Sequence, residues 1–195
     1  GTSETALISL GTSGVACLPS PVQTHDASGV IAGFADATGR FLPLVCTLNG
    51  ARNLVSMAKT LQVSLAEFSE LAMSAPPGSE GLLFLPYLEG ERTPPLPDAT
   101  GELRGMTLAN LTAANFARAT IEGVLWSLAY GVQSLREQAS PVEQVMLTGG
   151  AAQSPAVRAI AADVFGVPVL TTDPYESVAV GAARQAAWAL TGFLP

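Results

Sequence analysis

The chain has 195 residues, 48% of them hydrophobic and 13% charged, with a net charge of −7 and Lys59 as its one lysine. That length can bury a sizeable core, and an acidic balance with dispersed arginines gives nucleic-acid binding no counterion-release basis. No apolar run approaches a membrane span and no signal-peptide pattern opens the chain, while two separate cysteines and one histidine (His25) argue against a zinc site or a histidine triad.

In chain order, Ala6 to Leu10 and Val15 to Leu18 read as the strands of a β-hairpin whose tip is Gly11-Thr12-Ser13-Gly14. Ile31 to Phe34 and Phe41 to Val45 continue in strand character around an Asp36-Ala37-Thr38-Gly39 turn. A helix follows with Leu54, Ala58 and Leu61 on one face. Ser64 and Glu67 form a capping box for a second short helix, which Pro76-Pro77-Gly78 ends. Gly81 to Leu88 reads as a buried strand, and Glu89 to Gly105 as a long ordered loop of the kind that is functional or holds an interface.

From Thr112 a long helix runs to about Gln138, with Phe116, Ile121, Val124, Leu125, Leu128, Val132 and Leu135 as its apolar stripe. The last part has βαβα punctuation. Val145 to Leu147 is a strand, Gly149-Gly150 a turn, and Ser154-Pro155 an N-cap followed by proline at the first helical position. Gly166 closes that helix, Pro168 to Leu170 is the next strand, and a final helix runs from about Ser177 to Leu190. Cys17 and Cys46 lie in apolar runs and read as small buried thiols of a cytosolic protein. The pattern is α/β with a mixed sheet, in which strand-to-helix turns hold ligands.

Two of those turns carry candidate chemistry. Gly11-Thr12-Ser13-Gly14 offers several backbone amides and two hydroxyls, a workable cradle for phosphates, although a glycine-serine hairpin alone reads first as a turn. It is not a Walker A loop, because no Gly-Lys-Ser/Thr follows. Gly149-Gly150 precedes a capped helix, where free amides and the helix dipole suit phosphate or ribose oxygens. Taken alone it too reads first as a tight connection. Small residues at Ala179 and Ala183 are explained by close helix packing. Glu89, Glu91 and Arg92 read either as a solvated or mutually paired cluster or as the edge of a cleft or partner surface. Asp26, Asp36, Asp98, Asp163 and Asp173 are scattered, and none stands beside a glycine turn as a phosphoryl-transfer carboxylate.

Taken in order, these segments resemble the C-terminal half of an FGGY-type carbohydrate kinase, closest to the bacterial xylulose kinases. Ser9 to Gly14 is similar to the family's phosphate hairpin. Leu85-Pro86-Tyr87-Leu88-Glu89-Gly90-Glu91-Arg92-Thr93-Pro94 is similar to its LPYLxGERTP segment, which favours xylulose over glycerol kinases. Gly101 to Gly105 with Glu122-Gly123 resembles the second family signature, Leu147 to Pro155 the adenosine loop, and Glu176 to Ala183 the ExxAxGAA helix.

The resemblance implies an actin-like ATPase (ribonuclease-H-like) fold, a mixed sheet flanked by helices, with residues 61–111 as a helical insertion in one domain over 1–195. It implies ATP and Mg2+ as cofactors, with the γ-phosphate passing to a sugar hydroxyl, that of D-xylulose. Gly11, Thr12 and Ser13 are expected at the phosphates, and Gly149, Gly150 and Ser154 beside the adenosine. Glu91 and Arg92 are assigned to an interdomain or homodimer contact rather than to chemistry. The family's general-base aspartate and most sugar contacts lie in its N-terminal domain, the aspartate shortly before the hairpin. No aspartate precedes Gly11 here, so that domain is expected to be absent, with no catalytic residue or metal ligand in this chain and no activity from the chain alone. The expected partners are ATP and the sugar, without nucleic acid or membrane, in the cytoplasm. Ribulose, fuculose, gluconate or glycerol kinases share the glycine turns, and a non-catalytic actin-like nucleotide-binding or interaction module is the alternative of a different class.

Overall fold

The computed structural model describes residues 4–172 and 177–193, so Asp173 and the Glu176 of the final motif lie outside the described residues. Strand β1 (Thr5–Leu10) turns back into β2 (Gly14–Cys17), which pairs antiparallel with β3 (Leu44–Thr47). Helices α1 (Ala51–Thr60) and α2 (Leu65–Ser74), strands β4 (Leu83–Leu85) and β5 (Glu102–Arg104), and the long α3 (Ala113–Gln138) follow. The chain then re-enters the sheet as β6 (Gln144–Thr148), crosses through α4 (Pro155–Phe165) to β7 (Val169–Thr171), and ends in α5 (Ser177–Thr191).

The main sheet has the order β3-β2-β1-β6-β7, with β6 parallel to both β1 and β7. This is the mixed sheet of the actin-like, ribonuclease-H-like fold that the resemblance implied. Alternation along each strand sends one set of side chains to the core. Ala6, Ile8, Leu10, Ala16, Val45, Val145 and Leu147 are buried and share one hydrophobic cluster with Ile121, Val124, Leu125 and Leu128 of α3 and with Val157 and Ile160 of α4.

Local sequence signals set the helix ends. Ser64 Oγ accepts from the Glu67 amide and the Glu67 carboxylate accepts from the Ser64 amide, which is the expected capping box. Thr112 caps α3, Ser154 caps α4 with Pro155 at the first position, and Gly166 closes α4 at φ +62°. Helix α1 differs: its N-cap is Gly50, with no side-chain cap.

Several expectations are corrected. Ile31 to Phe34 is not a strand; Ala32 and Ala35 make isolated bridges to Leu44 and Phe41 within an irregular excursion. The expected strand from Phe41 to Val45 begins only at Leu44. Asp26 and Asp36 organise this excursion by accepting local backbone amides, at Ser28 and Ile31 and at Thr38 and Arg40. The Ser28 hydroxyl first, then the Ile31 amide, holds the Asp26 carboxyl well below the usual carboxylate range.

The buried strand expected at Gly81 to Leu88 shrinks to β4, and Leu83 is 61% exposed. Its ladder partner is β5, drawn from within the expected loop, so this small sheet stands outside the core and buries little. Close packing around Ala179 and Ala183 is not met either: no residue of α5 is buried, and its first residue meets the sheet through the 3.4 Å contact of Ser177 Oγ with Thr148 Oγ1 at the end of β6. Cys17 is a buried thiol pushed up to about 11 by burial and then by neighbouring Cys46, which is only half-buried; both are free.

Candidate nucleotide site

The two glycine turns meet. Leu10, Gly11 and Thr12 from the end of β1 and Gly150, Ser154 and Pro155 at the start of α4 line one cleft of about 630 Å³. The opposite wall comes from α1 and α2, through residues that include Ala51, Leu54, Val55, Leu65, Phe68 and Ser69. Val55 and Leu65 are 51% and 56% exposed, an open apolar surface suited to the face of a purine base. None of these wall residues carried a local motif. The cleft forms because β1 and β6 are parallel neighbours, so their C-terminal ends open on the same side.

The six expected site residues divide. Gly11, Thr12, Gly150 and Ser154 line the cleft; Ser13 stands exposed at the hairpin tip and Gly149 lies behind the lining. Gly149 has φ +95°, and a Cβ there would lie 2.6 Å from the Leu10 carbonyl oxygen, so glycine is required by its fit against β1. A Cβ on Gly150 would meet nothing within 4 Å, which leaves its bare backbone facing the cleft. Ser154 is engaged as the α4 cap, its Oγ accepting from the Val157 amide at 3.5 Å and donating to Ser69 Oγ at 3.1 Å. Ser69 Oγ in turn accepts from the Ala156 amide at 3.2 Å, which ties α2 to the first turn of α4.

The hairpin tip rests on α1. The Ala51 amide donates to the Gly11 carbonyl at 2.8 Å, and the Gly14 amide donates to Thr47 Oγ1 at 3.2 Å. The N-terminus of α1, which has no side-chain cap, therefore sits directly under the hairpin tip; its Ala51 and Asn53 amides are taken by the Gly11 and Gly50 carbonyls, so it is the helix dipole that favours negative charge there. Among the described residues no three histidine, cysteine, aspartate or glutamate side chains gather into a cation site.

The acidic cluster past β4 resolves unevenly. Glu91 is 1% exposed and accepts from the backbone amides of Leu48, Arg92 and Thr93 and from the Asn49 side chain. It is neither solvated nor a surface contact, which corrects its expected place at an interdomain or dimer interface. Glu89 pairs with Arg52, and Arg92 is exposed. Glu122 and Arg118 form a buried pair beneath the end of α2, and Asp163 approaches the same guanidinium at 3.6 Å.

Comparison with known proteins gives the family. The sequence pattern of the FGGY family of carbohydrate kinases, C-terminal domain, matches residues 6–190. The xylulose kinase of Haemophilus influenzae is 34% identical over 184 residues, 94% of this chain and 37% of that protein. The crystal structure of xylulose kinase from Bifidobacterium adolescentis superposes with a TM-score of 0.89 at 44% identity, covering all of this chain and 38% of that one. A gluconokinase of Bacillus subtilis is 38% identical over 116 residues, 58% of this chain and 22% of that protein. The chain thus spans little more than a third of the length of the xylulose kinases it matches. On the match over residues 6–190, the chain belongs to the FGGY family of carbohydrate kinases, to its C-terminal domain.

Proposed function

We propose that this chain is the ATP-holding part of a xylulose kinase, which at full length transfers the γ-phosphate of ATP to D-xylulose and releases D-xylulose 5-phosphate. The observation that carries the proposal is the convergence of both glycine turns on one cleft. Adenosine lies between the apolar wall of α1 and α2 and the Gly150 turn, with its phosphates along Gly11, Thr12 and Ser13. The backbone amides of the hairpin, with the dipole of α1 beneath them, stabilise charge on the transferring group, which is the main work a protein does in phosphoryl transfer. Mg2+ enters on the phosphates.

The general-base aspartate and most sugar contacts belong to an N-terminal domain that the relatives' extra length would supply. Residues 61–111 act as an insertion within the ATPase fold, and Gly149 serves the site from behind. The proposal extends to a homodimer through the half-open groove of Leu83, Trp126 and Tyr130, which light scattering of the full-length protein would read. It places the enzyme in cytoplasmic xylose metabolism, a setting in which the two free thiols persist.

Thr12→Val in the full-length protein tests the site. Removing a donor aimed at the transferring group should lower kcat by about 100-fold, with the KM for sugar unchanged. Unchanged turnover rejects the role. The acceptor is tested separately by a panel of D-xylulose, ribulose, fuculose, gluconate and glycerol. Gluconate is the second reading because the gluconokinase match reaches 38% identity, although over 58% of the chain rather than 94%. The highest kcat/KM is expected for D-xylulose, and a preference for gluconate would overturn that assignment.

A further inference from the structure

We infer that Glu91 is a positioning residue for the phosphate hairpin, acting through the segment Thr47–Ala51; the inference rests on reading the cleft as a nucleotide site. The hairpin tip is held from below at two points. Gly14 donates to Thr47 Oγ1 at 3.2 Å and Gly11 accepts from the Ala51 amide at 2.8 Å. The backbone between those points is fastened in turn from the other side by one carboxylate. Glu91 Oε1 accepts from the Leu48 amide at 2.6 Å and Oε2 from Asn49 Nδ2 at 2.9 Å. Thr47 Oγ1 also lies 3.1 Å from the Asn49 carbonyl, which links the two fastenings through one hydroxyl.

The chemistry of Glu91 favours this role over generic packing. Its carboxylate is almost wholly buried and, among the described residues, meets no cation; four N–H donors stand in for one. A buried charge without a counter-ion is costly unless its hydrogen bonds are well made, and charge-assisted bonds of this kind are strong and directional. Asn49 extends the brace by donating to the Gly90 carbonyl at 2.7 Å and accepting from the Leu88 amide at 3.2 Å. The LPYLxGERTP segment thereby fixes a turn more than 40 residues earlier in sequence. Displacement of the tip by a fraction of an ångström would misplace the amides that meet the phosphates, and positioning errors of that size cost rate steeply.

Glu91→Gln breaks the pattern with little change in shape, because one face of the amide presents a donor to a donor. Two readouts are taken on the full-length protein: amide hydrogen exchange at Gly14 without nucleotide, and MgATP affinity by calorimetry. Exchange at Gly14 should quicken about tenfold while α4 amides are unchanged, and the Kd for MgATP should rise about tenfold with the KM for sugar unaltered. Thr47→Val removes the Gly14 acceptor itself and is the positive control for both shifts, while Asn49→Ser, which takes the donor from Glu91 Oε2, carries the test if the Glu91 variant does not fold. Unaltered protection of Gly14 in a folded variant overturns the positioning role. Faster exchange with unchanged MgATP affinity instead overturns the reading of the hairpin as a phosphate site, and the proposal with it.

Discussion

Gly50→Ala in the full-length protein is expected to weaken MgATP binding by about one to two orders of magnitude, leaving the KM for the acceptor sugar unchanged. Gly50 is the N-cap of α1, and a Cβ there would stand 2.6 Å from the Ser13 carbonyl carbon, 2.7 Å from its oxygen and 2.8 Å from the Gly11 oxygen. All three are backbone atoms, so no rotamer change relieves the contact. Either the hairpin lifts or α1 retreats, and both lengthen the 2.8 Å bond from Ala51 to Gly11. Thr12 lies between the displaced residues and moves with them. Gly33→Ala is the control, since a Cβ there meets nothing within 4 Å. Calorimetric titration of both variants reads the difference. Affinity within about twofold of the wild type in a folded Gly50→Ala protein would remove the hairpin from the nucleotide site.

Gly50 also shows where sequence reasoning stops. Features whose cause is local were legible: the Ser64/Glu67 box, the Ser154-Pro155 start and the Gly166 end of α4 each depend on residues within one turn. The fold and the pairing of the two glycine turns were legible because the family motifs keep their order along the chain. What carried no local signature was contact across long separations. Glu91 looked like a surface acid because its neighbours are polar, and only the return of the chain beneath Leu48 and Asn49 buries it. Ile31 to Phe34 has strand composition but no continuous partner, and composition does not report pairing. Leu83 sits in an apolar run yet remains outside the core, because its strand pairs with β5 alone. The division between Gly149, required by β1, and Gly150, open to the cleft, depends on which way each Cα faces.

The second large effect is on stability. Arg118→Met should cost about 3–5 kcal/mol and lower the urea midpoint by about 2 M. The side chains of Arg118 and Glu122 are 6% and 12% exposed and pair at 2.7 Å; Arg118 also donates to the Ala75 carbonyl at 3.2 Å. Glu122 accepts from the Gly78 amide at 3.0 Å, so the pair secures the chain leaving α2 to the side of α3. Methionine fills the volume but strands the Glu122 carboxylate with that single donor and leaves Ala75 unpaired, which makes the loss large. Arg118→Met with Glu122→Leu should recover much of it, because replacing a buried pair by apolar groups removes the desolvation penalty with the attraction. Arg104 and Glu102 provide the internal contrast. They pair at the same 2.7 Å but are 67% and 46% exposed, and Arg104→Met should shift stability by less than about 1 kcal/mol. Equal losses from the two arginines would show that burial does not control either pair. Because α2 supplies Leu65, Phe68 and Ser69 to the cleft, the Arg118 variant should also bind MgATP more weakly, and the double variant should regain affinity together with stability.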